Sequence, residues 1–174
     1  ILVGDSLGTV LYGFESTREV TLDLMVNHAK AVCRSTSKAN IIVDMPYGTY
    51  ENSKIKAYNN AKKLIQRSGA CGVKLEGGEK IAPTIEYLVN RGINVMGHIG
   101  MLPQSTKHFK DYKVYGKKDW EIKQILKDIV SLEKSGVFGV VIEATTESLS
   151  RRVSEISSIP TIGIGASCEC SGQI

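Results

Sequence analysis

No stretch of this chain is apolar for long enough to cross a bilayer. The longest run, around residues 137–142, falls well below the roughly 20 residues a spanning helix needs. No Cys-x-x-Cys pair occurs among the four cysteines, Cys33, Cys71, Cys168 and Cys170. The Cys-x-Cys near the end has no partner pair, so a zinc site is disfavoured and reduced thiols in a cytoplasmic protein are expected. A strong charge of one sign is missing too. The formal net charge is +4 with a pI near 8.8, and lysines such as Lys54, Lys56, Lys62 and Lys63 fall on helix faces as solvated surface. Neither a nucleic-acid footprint nor a membrane association is expected. The chain also lacks an initiator Met and a closing helix. It is therefore expected to be incomplete at both ends, with any targeting peptide out of view.

What is present is the composition of a globular domain: 174 residues, 42% hydrophobic and 23% charged, enough for one domain over residues 1–174 with a substantial core. Apolar, β-branched strands are expected at residues 1–4, 40–43, 72–78, 93–97, 137–142 and 160–164. Amphipathic helices stand between them. One carries Leu22, Met25, Val26, Ala29, Val32 and Cys33 on a single stripe, with His28 off it as a surface residue. The next buries Ala57, Tyr58, Ala61, Leu64 and Ile65 and ends at Gly69. A third begins near Glu79 with Pro83 in its first turn, and a fourth is capped by Asp119 and presents Ile122, Ile125, Leu126, Ile129 and Leu132. The last spans residues 147–157. A Gly-rich loop with Gly8 and Gly13 precedes the first helix. The long loop over residues 99–118, with Lys107, Lys110, Lys113, Lys117 and Lys118, reads as a solvated lid or binding loop.

Strand–helix alternation predicts a parallel α/β fold with both sheet faces covered. About six strands of a (β/α)8 barrel are visible, with an open doubly wound sheet as the alternative. In the stretch Gly72-Val73-Lys74-Leu75-Glu76-Gly77-Gly78, period-two alternation aims Lys74 and Glu76 to one side. A solvated edge strand would also explain that pair. Yet successive strands end in Asp5, Asp44, Glu76, His98 and Glu143, and helix capping accounts for any one of these better than for all of them. Asp5, Asp44 and Glu76 offer hard oxygen ligands that suit Mg²⁺. Lys74 suits a substrate carboxylate, and Glu143 stands apart as a base. Such a site fits proton abstraction beside a carbonyl, with a 2-keto acid chelated through a Mg-stabilised enolate.

With those residues in view, the chain resembles the ketopantoate hydroxymethyltransferase family of the phosphoenolpyruvate-mutase-like barrel superfamily. The motifs are Val3-Gly4-Asp5-Ser6-Leu7-Gly8, Asp44-Met45-Pro46-Tyr47, Val73-Lys74-Leu75-Glu76-Gly77-Gly78, Gly97-His98-Ile99-Gly100-Met101-Leu102-Pro103-Gln104-Ser105 and Ile159-Pro160-Thr161-Ile162-Gly163-Ile164-Gly165-Ala166. The resemblance implies a TIM-type barrel, here its middle part. It also implies hydroxymethyl transfer from 5,10-methylenetetrahydrofolate to 3-methyl-2-oxobutanoate in pantothenate and coenzyme A synthesis. It assigns Mg²⁺ to Asp5 and Asp44, with Glu76 direct or through water, keto-acid contacts to Ser6, Lys74 and His98, and the base to Glu143. Cytoplasmic homo-oligomers are implied as well. The chain departs from the family pattern at Lys110-Asp111 before Tyr112-Lys113-Val114-Tyr115-Gly116, where Gly-Gly and a Gln are usual, and at Ser167 and Ser171, where Gly and Asp are usual. A carbon–carbon lyase or mutase of the same superfamily and a non-catalytic module are the rival readings.

Overall fold

Every strand pairing in the sheet is parallel and joins neighbours in the sequence. This is seen in a computed structural model that describes residues 1–106 and 108–174; Lys107 of the loop lysines lies outside the described residues. The strands β1 (Leu2–Val3), β2 (Ile42–Asp44), β3 (Gly72–Lys74), β4 (Val95–Gly100), β5 (Gly139–Glu143), β6 (Thr161–Ile164) and β7 (Gly172–Gln173) lie side by side in that order. A doubly wound sheet must reverse its strand order at a switch point. This one does not, and the unbroken progression is the wall of a (β/α)8 barrel. The doubly wound alternative therefore drops out. The described residues form seven strands, against about six expected; β7 has only two residues, too few to carry an alternation.

Among the described residues the short α1 (Leu7–Leu11) sits at the carboxyl ends of the strands, and five helices cover the outside: α2 (Leu22–Ser35), α3 (Lys54–Ser68), α4 (Ala82–Val89), α5 (Asp119–Lys134) and α6 (Glu147–Ile156). The core is the layer between them and the sheet. There Val43, Val73, Leu75, Val140 and Ile142 meet Met25, Ala57, Leu64, Ile85, Leu88, Leu132 and Val153, all fully buried. A buried side chain of this size contributes roughly 1.5–3 kcal/mol, so the stripes read from the sequence are what hold the wall in place. Thr21 and Ser53 cap α2 and α3 by accepting from Leu24 N–H and Lys56 N–H. Gly69 ends α3 at φ 85°, a left-handed conformation that suits glycine.

Local expectations fail where tertiary contacts intervene. The Gly-rich segment after β1 folds as α1, because a Cβ at Gly8 would lie 2.5 Å from Val20 and 3.0 Å from Phe14; here glycine permits close packing inside a helix. Helix α4 starts at Ala82, not near Glu79, whose N–H is held by Asp128 Oδ1 at 2.9 Å. Asp119 is the first residue of α5 and not its cap, which is Lys118. No side chain caps α5; Glu121 in its first turn instead holds the segment ahead of it, accepting from Gly116 N–H at 3.0 Å and Lys117 N–H at 3.1 Å. His28 is half-buried, with Tyr12 Oη 2.8 Å from its Nε2. Strand β4 runs on to Gly100, since its register with β5 continues to Gly100↔Glu143.

Candidate active site

The carboxyl ends of β1 to β5 surround a cavity of about 340 Å³. Asp5, Ser6, Asp44, Lys74, Glu76, His98 and Glu143 all line it. Asp5 and Ser6 follow β1, Asp44 ends β2, and Lys74 ends β3 with Glu76 on the same side just beyond. His98 lies within β4, and Glu143 ends β5. The edge-strand explanation of Lys74 and Glu76 is excluded, because their side chains are 4% and 3% exposed. Glu143 is half-buried and Ser6 is exposed.

Lys74 is the electrostatic centre. Its Nζ lies 3.1 Å from Asp44 Oδ1, 4.0 Å from Glu76 Oε1 and 2.9 Å from His98 Nδ1. Burial alone would lower the Lys74 pKa, but Asp44, Glu76 and Asp5 together raise it. An ammonium donating to Nδ1 leaves the imidazole proton on Nε2, which stands 3.1 Å from Glu143 Oε2. Burial and the Lys74 charge hold His98 well below its ordinary pKa, so it is neutral. Burial pushes Asp5 up to about 7, helped by Asp44 and opposed by Lys74 and Gln104. It pushes Glu76 up to about 8 against the pull of Lys74, with Asp5 and Asp44 adding to the rise. Burial also raises Glu143, against Lys74.

Among the described residues, the buried side-chain polar atoms without a hydrogen bond are Thr17 Oγ1, Asp44 Oδ1 and His98 Nε2. All three residues line this cavity. Asp44 Oδ1 and His98 Nε2 have the charged neighbours just described, but not aligned for hydrogen bonding. A buried polar group with no partner at all costs roughly 1–3 kcal/mol; Asp44 Oδ1 and His98 Nε2 are spared part of that by Lys74 and Glu143, and the gathering of all three atoms at one cavity points to a ligand that completes their bonding. Acids that outnumber the one ammonium among them, with an orphaned carboxylate oxygen, are the donor chemistry of a hard divalent cation. They are not a finished coordination sphere. Among the described residues no group of three or more His, Cys, Asp or Glu side chains is placed so that it could hold a metal ion. Lys74 bridges Asp44 and Glu76, and Gln104 bridges Asp5 and Glu76.

Several lining or supporting residues were given no role by the sequence: Thr17 and Tyr112 on the cavity wall, and Tyr50 and Gln104 behind it, although Gln104 and Tyr112 lie in segments compared with the family pattern. The loop around Tyr112 is anchored beside the site, since Tyr115 N–H donates to Ala144 O and Thr146 N–H to Tyr115 O, both at 2.8 Å. Ala144, directly after Glu143, has φ 45°. A non-glycine residue in the left-handed region is strained, and such strain concentrates at functional sites. The two departing serines are absorbed locally: Ser167 Oγ accepts from Glu169 N–H, and Ser171 Oγ accepts from Thr161 N–H.

A family model described as ketopantoate hydroxymethyltransferase matches residues 1–174. Proteins named 3-methyl-2-oxobutanoate hydroxymethyltransferase are 50% identical in Brucella suis and 51% in Rhizobium etli, each over the whole of this chain. The chain spans 63% and 64% of the length of those two relatives. Among solved structures, a putative phosphonomutase from Burkholderia cenocepacia superimposes with a TM-score of 0.69 at 14% identity, over 93% of this chain and 67% of that one. A 2,3-dimethylmalate lyase of the PEP mutase/isocitrate lyase superfamily gives 0.63 at 10% identity, over 91% and 56%. Those likenesses establish the barrel fold. The full-length match of the family model establishes more: the chain belongs to the ketopantoate hydroxymethyltransferase family.

Proposed function

We propose that the protein carrying this chain transfers a hydroxymethyl group from 5,10-methylenetetrahydrofolate to 3-methyl-2-oxobutanoate, forming ketopantoate for pantothenate and coenzyme A synthesis. The observation that carries the reading is the coincidence, at one cavity, of the family motifs with the orphaned buried polar atoms. In this reading Ser6, Lys74 and His98 receive the keto acid. The Lys74 ammonium faces its carboxylate, and the neutral His98 Nε2–H faces an oxygen that gains charge. Glu143 takes the proton from C3, for which a half-buried carboxylate raised above its ordinary pKa is suited. The electron pair left at C3 then bonds to the methylene carbon of the folate. One C–N bond of that carbon breaks to water, whose oxygen becomes the hydroxyl, and the other breaks to C3; the two nitrogens take up the protons released by C3 and by the water, and tetrahydrofolate leaves. Asp5 and Asp44, with Glu76 directly or through water, would hold Mg²⁺. When bound, the cation polarises the keto group and offsets the charge that builds on its oxygen. We place the whole protein in the cytoplasm as a homo-oligomer on the same family grounds.

The lyase or mutase alternative shares the barrel. Enzymes of that kind commonly use a Cys-bearing loop, and no cysteine is among the described residues that line the cavity. The discriminating experiment is isotope exchange. The whole protein is incubated with Mg²⁺ and 3-methyl-2-oxobutanoate in D₂O without folate, and NMR follows the C3 proton. Exchange that disappears in Glu143→Gln is expected; a wild-type protein that leaves the C3 proton in place would sink the reading.

A further inference from the structure

Gln104 sits in the turn after β4 and is 3% exposed. Its Nε2 donates to Asp5 Oδ2 at 2.7 Å and to Met45 O at 2.9 Å. Its Oε1 accepts from the Tyr50 hydroxyl at 2.6 Å. Its backbone N–H donates to Glu76 Oε2 at 3.0 Å, and its carbonyl accepts from Arg18 Nε at 2.8 Å. Tyr50, 2% exposed, also accepts from Glu76 N–H at 3.2 Å. The orientation of an amide is decided by its partners. The Tyr50 hydroxyl, as a donor, pins the amide oxygen toward itself and so turns the NH₂ toward Asp5 and Met45 O. One residue thus touches acids from two different βα units, and a second residue fixes how it does so.

We infer that Gln104, locked by Tyr50, is a positioning residue that presets the Asp5 and Glu76 carboxylates for a divalent cation. The inference rests on the reading of Asp5, Asp44 and Glu76 as cation ligands, and deepens it. Two carboxylates drawn together with burial working against both need donors to hold them, and a neutral amide has an advantage over another cation there. It fixes an oxygen without placing a positive charge where Mg²⁺ would have to sit. Gln104 engages one oxygen of Asp5 through its side-chain amide and one oxygen of Glu76 through its backbone N–H, leaving acceptor capacity for a metal on both. Through Arg18 it also ties this turn to the segment ahead of α2. The arrangement resembles the outer-shell hydrogen bonds that orient ligating carboxylates in metal sites, whose loss weakens metal binding about 10- to 100-fold.

The test reads divalent binding directly. Mn²⁺ is titrated by electron paramagnetic resonance, and Mg²⁺ by calorimetry, into the whole protein as wild type, Gln104→Met, Tyr50→Phe and Asp5→Asn. Gln104→Met keeps the length and removes the amide; its Mn²⁺ affinity is expected to fall about 10- to 100-fold. Tyr50→Phe keeps the ring but frees the amide to turn over, and is expected to weaken binding in the same direction by less. Melting with and without Mn²⁺ separates positioning from general support. A positioning role shrinks the cation-induced rise in Tm, whereas a merely structural one lowers both curves together. Unchanged Mn²⁺ affinity in Gln104→Met, or in Tyr50→Phe should the first variant not fold, overturns the inference. Failure of the underlying reading looks different: wild type binds no Mn²⁺, or Asp5→Asn binds it as tightly as wild type, and the inference falls with it.

Discussion

The two ends of the same strands enclose spaces of similar size and opposite chemistry. At the amino ends, Ile1, Asn40, Ile42, Cys71, Asn94, Met96 and Phe138 line a cavity of about 400 Å³, larger than the one of about 340 Å³ at the carboxyl ends. Its lining is apolar or amide, and Asn94 is satisfied by donating to Cys71 O at 2.9 Å. At the carboxyl ends sit buried Asp5, Asp44, Lys74, Glu76 and His98, the orphaned polar atoms and the strained Ala144. Volume does not separate the two ends; the cost of keeping charge out of water does. A fold that holds several buried ionisable groups in one place gives up stability there, which is the expected mark of a working site. In a barrel wall the strands set the frame, and the loops at their carboxyl ends carry the chemistry.

The largest contrast is catalytic. Glu143→Gln keeps the shape but removes the proposed base, and kcat for the whole protein is expected to fall about 10²- to 10⁴-fold. Asn94→Ala, at the other end of β4, is expected to leave kcat unchanged while lowering Tm. Steady-state kinetics on the pair breaks the comparison if Asn94→Ala loses turnover as well.

Next comes Lys74→Met. Removing one partner of a buried ion pair leaves uncompensated charge, here on Asp44 and Glu76, and is expected to destabilise by about 3–5 kcal/mol in divalent-free buffer. Mg²⁺ should return part of that stability, because it supplies the missing positive charge. Urea melts with and without the ion measure both, and a Lys74→Met protein as stable as wild type in divalent-free buffer would contradict the electrostatic account.

Smaller again is the pH dependence of the divalent-free protein. Asp5 and Glu76 are raised from 3.8 and 4.5 to about 7 and about 8. The folded state therefore binds protons that the unfolded state has released. Their contribution is complete below the unfolded values and is lost as pH rises through about 7 and about 8. Stability should decline by up to about 1.4 kcal/mol per pH unit for each proton held. His98, lowered below its ordinary value of 6.5, works the other way and withdraws stability as pH falls below that value, so the decline is cleanest on the alkaline side. Asp5→Asn or saturating Mg²⁺ should flatten it; stability rising over that range would reverse the sign assigned to these groups.

How much of this could be read in the sequence follows from the same contrast. Asp5, Asp44, Glu76 and Glu143 were visible because parallel strands deliver their carboxyl ends to one rim, so position in the alternation becomes position in space. The core stripes, such as Met25, Val26 and Ala29 on α2, were visible because burial leaves a period. Tyr50 and Thr17 were not, and Gln104 showed only as part of a family motif with no role attached: a polar residue buried from a loop has no period, and its partners are distant in sequence, as Asp5 and Gln104 show. The same limit hid α1, which depends on Gly8 meeting Val20 and Phe14, and the hold of Glu121 on the turn ahead of α5. The acids and Lys74 could be predicted to meet, but not that the Gln104 amide would stand among them.

The smallest effect sharpens the contrast most, because it touches backbone alone. Ala144 turns the chain just after Glu143, with its N–H on Ile164 O at 2.9 Å and its carbonyl accepting from Tyr115 N–H at 2.8 Å. Holding an L-residue at φ 45° costs roughly 1–2 kcal/mol. Glycine relieves that strain but brings back unfolded-state freedom worth about 0.4–1 kcal/mol. Ala144→Gly should therefore stabilise the protein by about 1 kcal/mol or less, read as a shift in the urea midpoint at constant slope. If the strain also holds Glu143 toward His98, deuterium exchange at C3 should slow in the stabilised variant. A gain in stability with undiminished exchange would mean that the turn is strained only to bring Tyr115 against β5, and that Glu143 is placed by its neighbours alone.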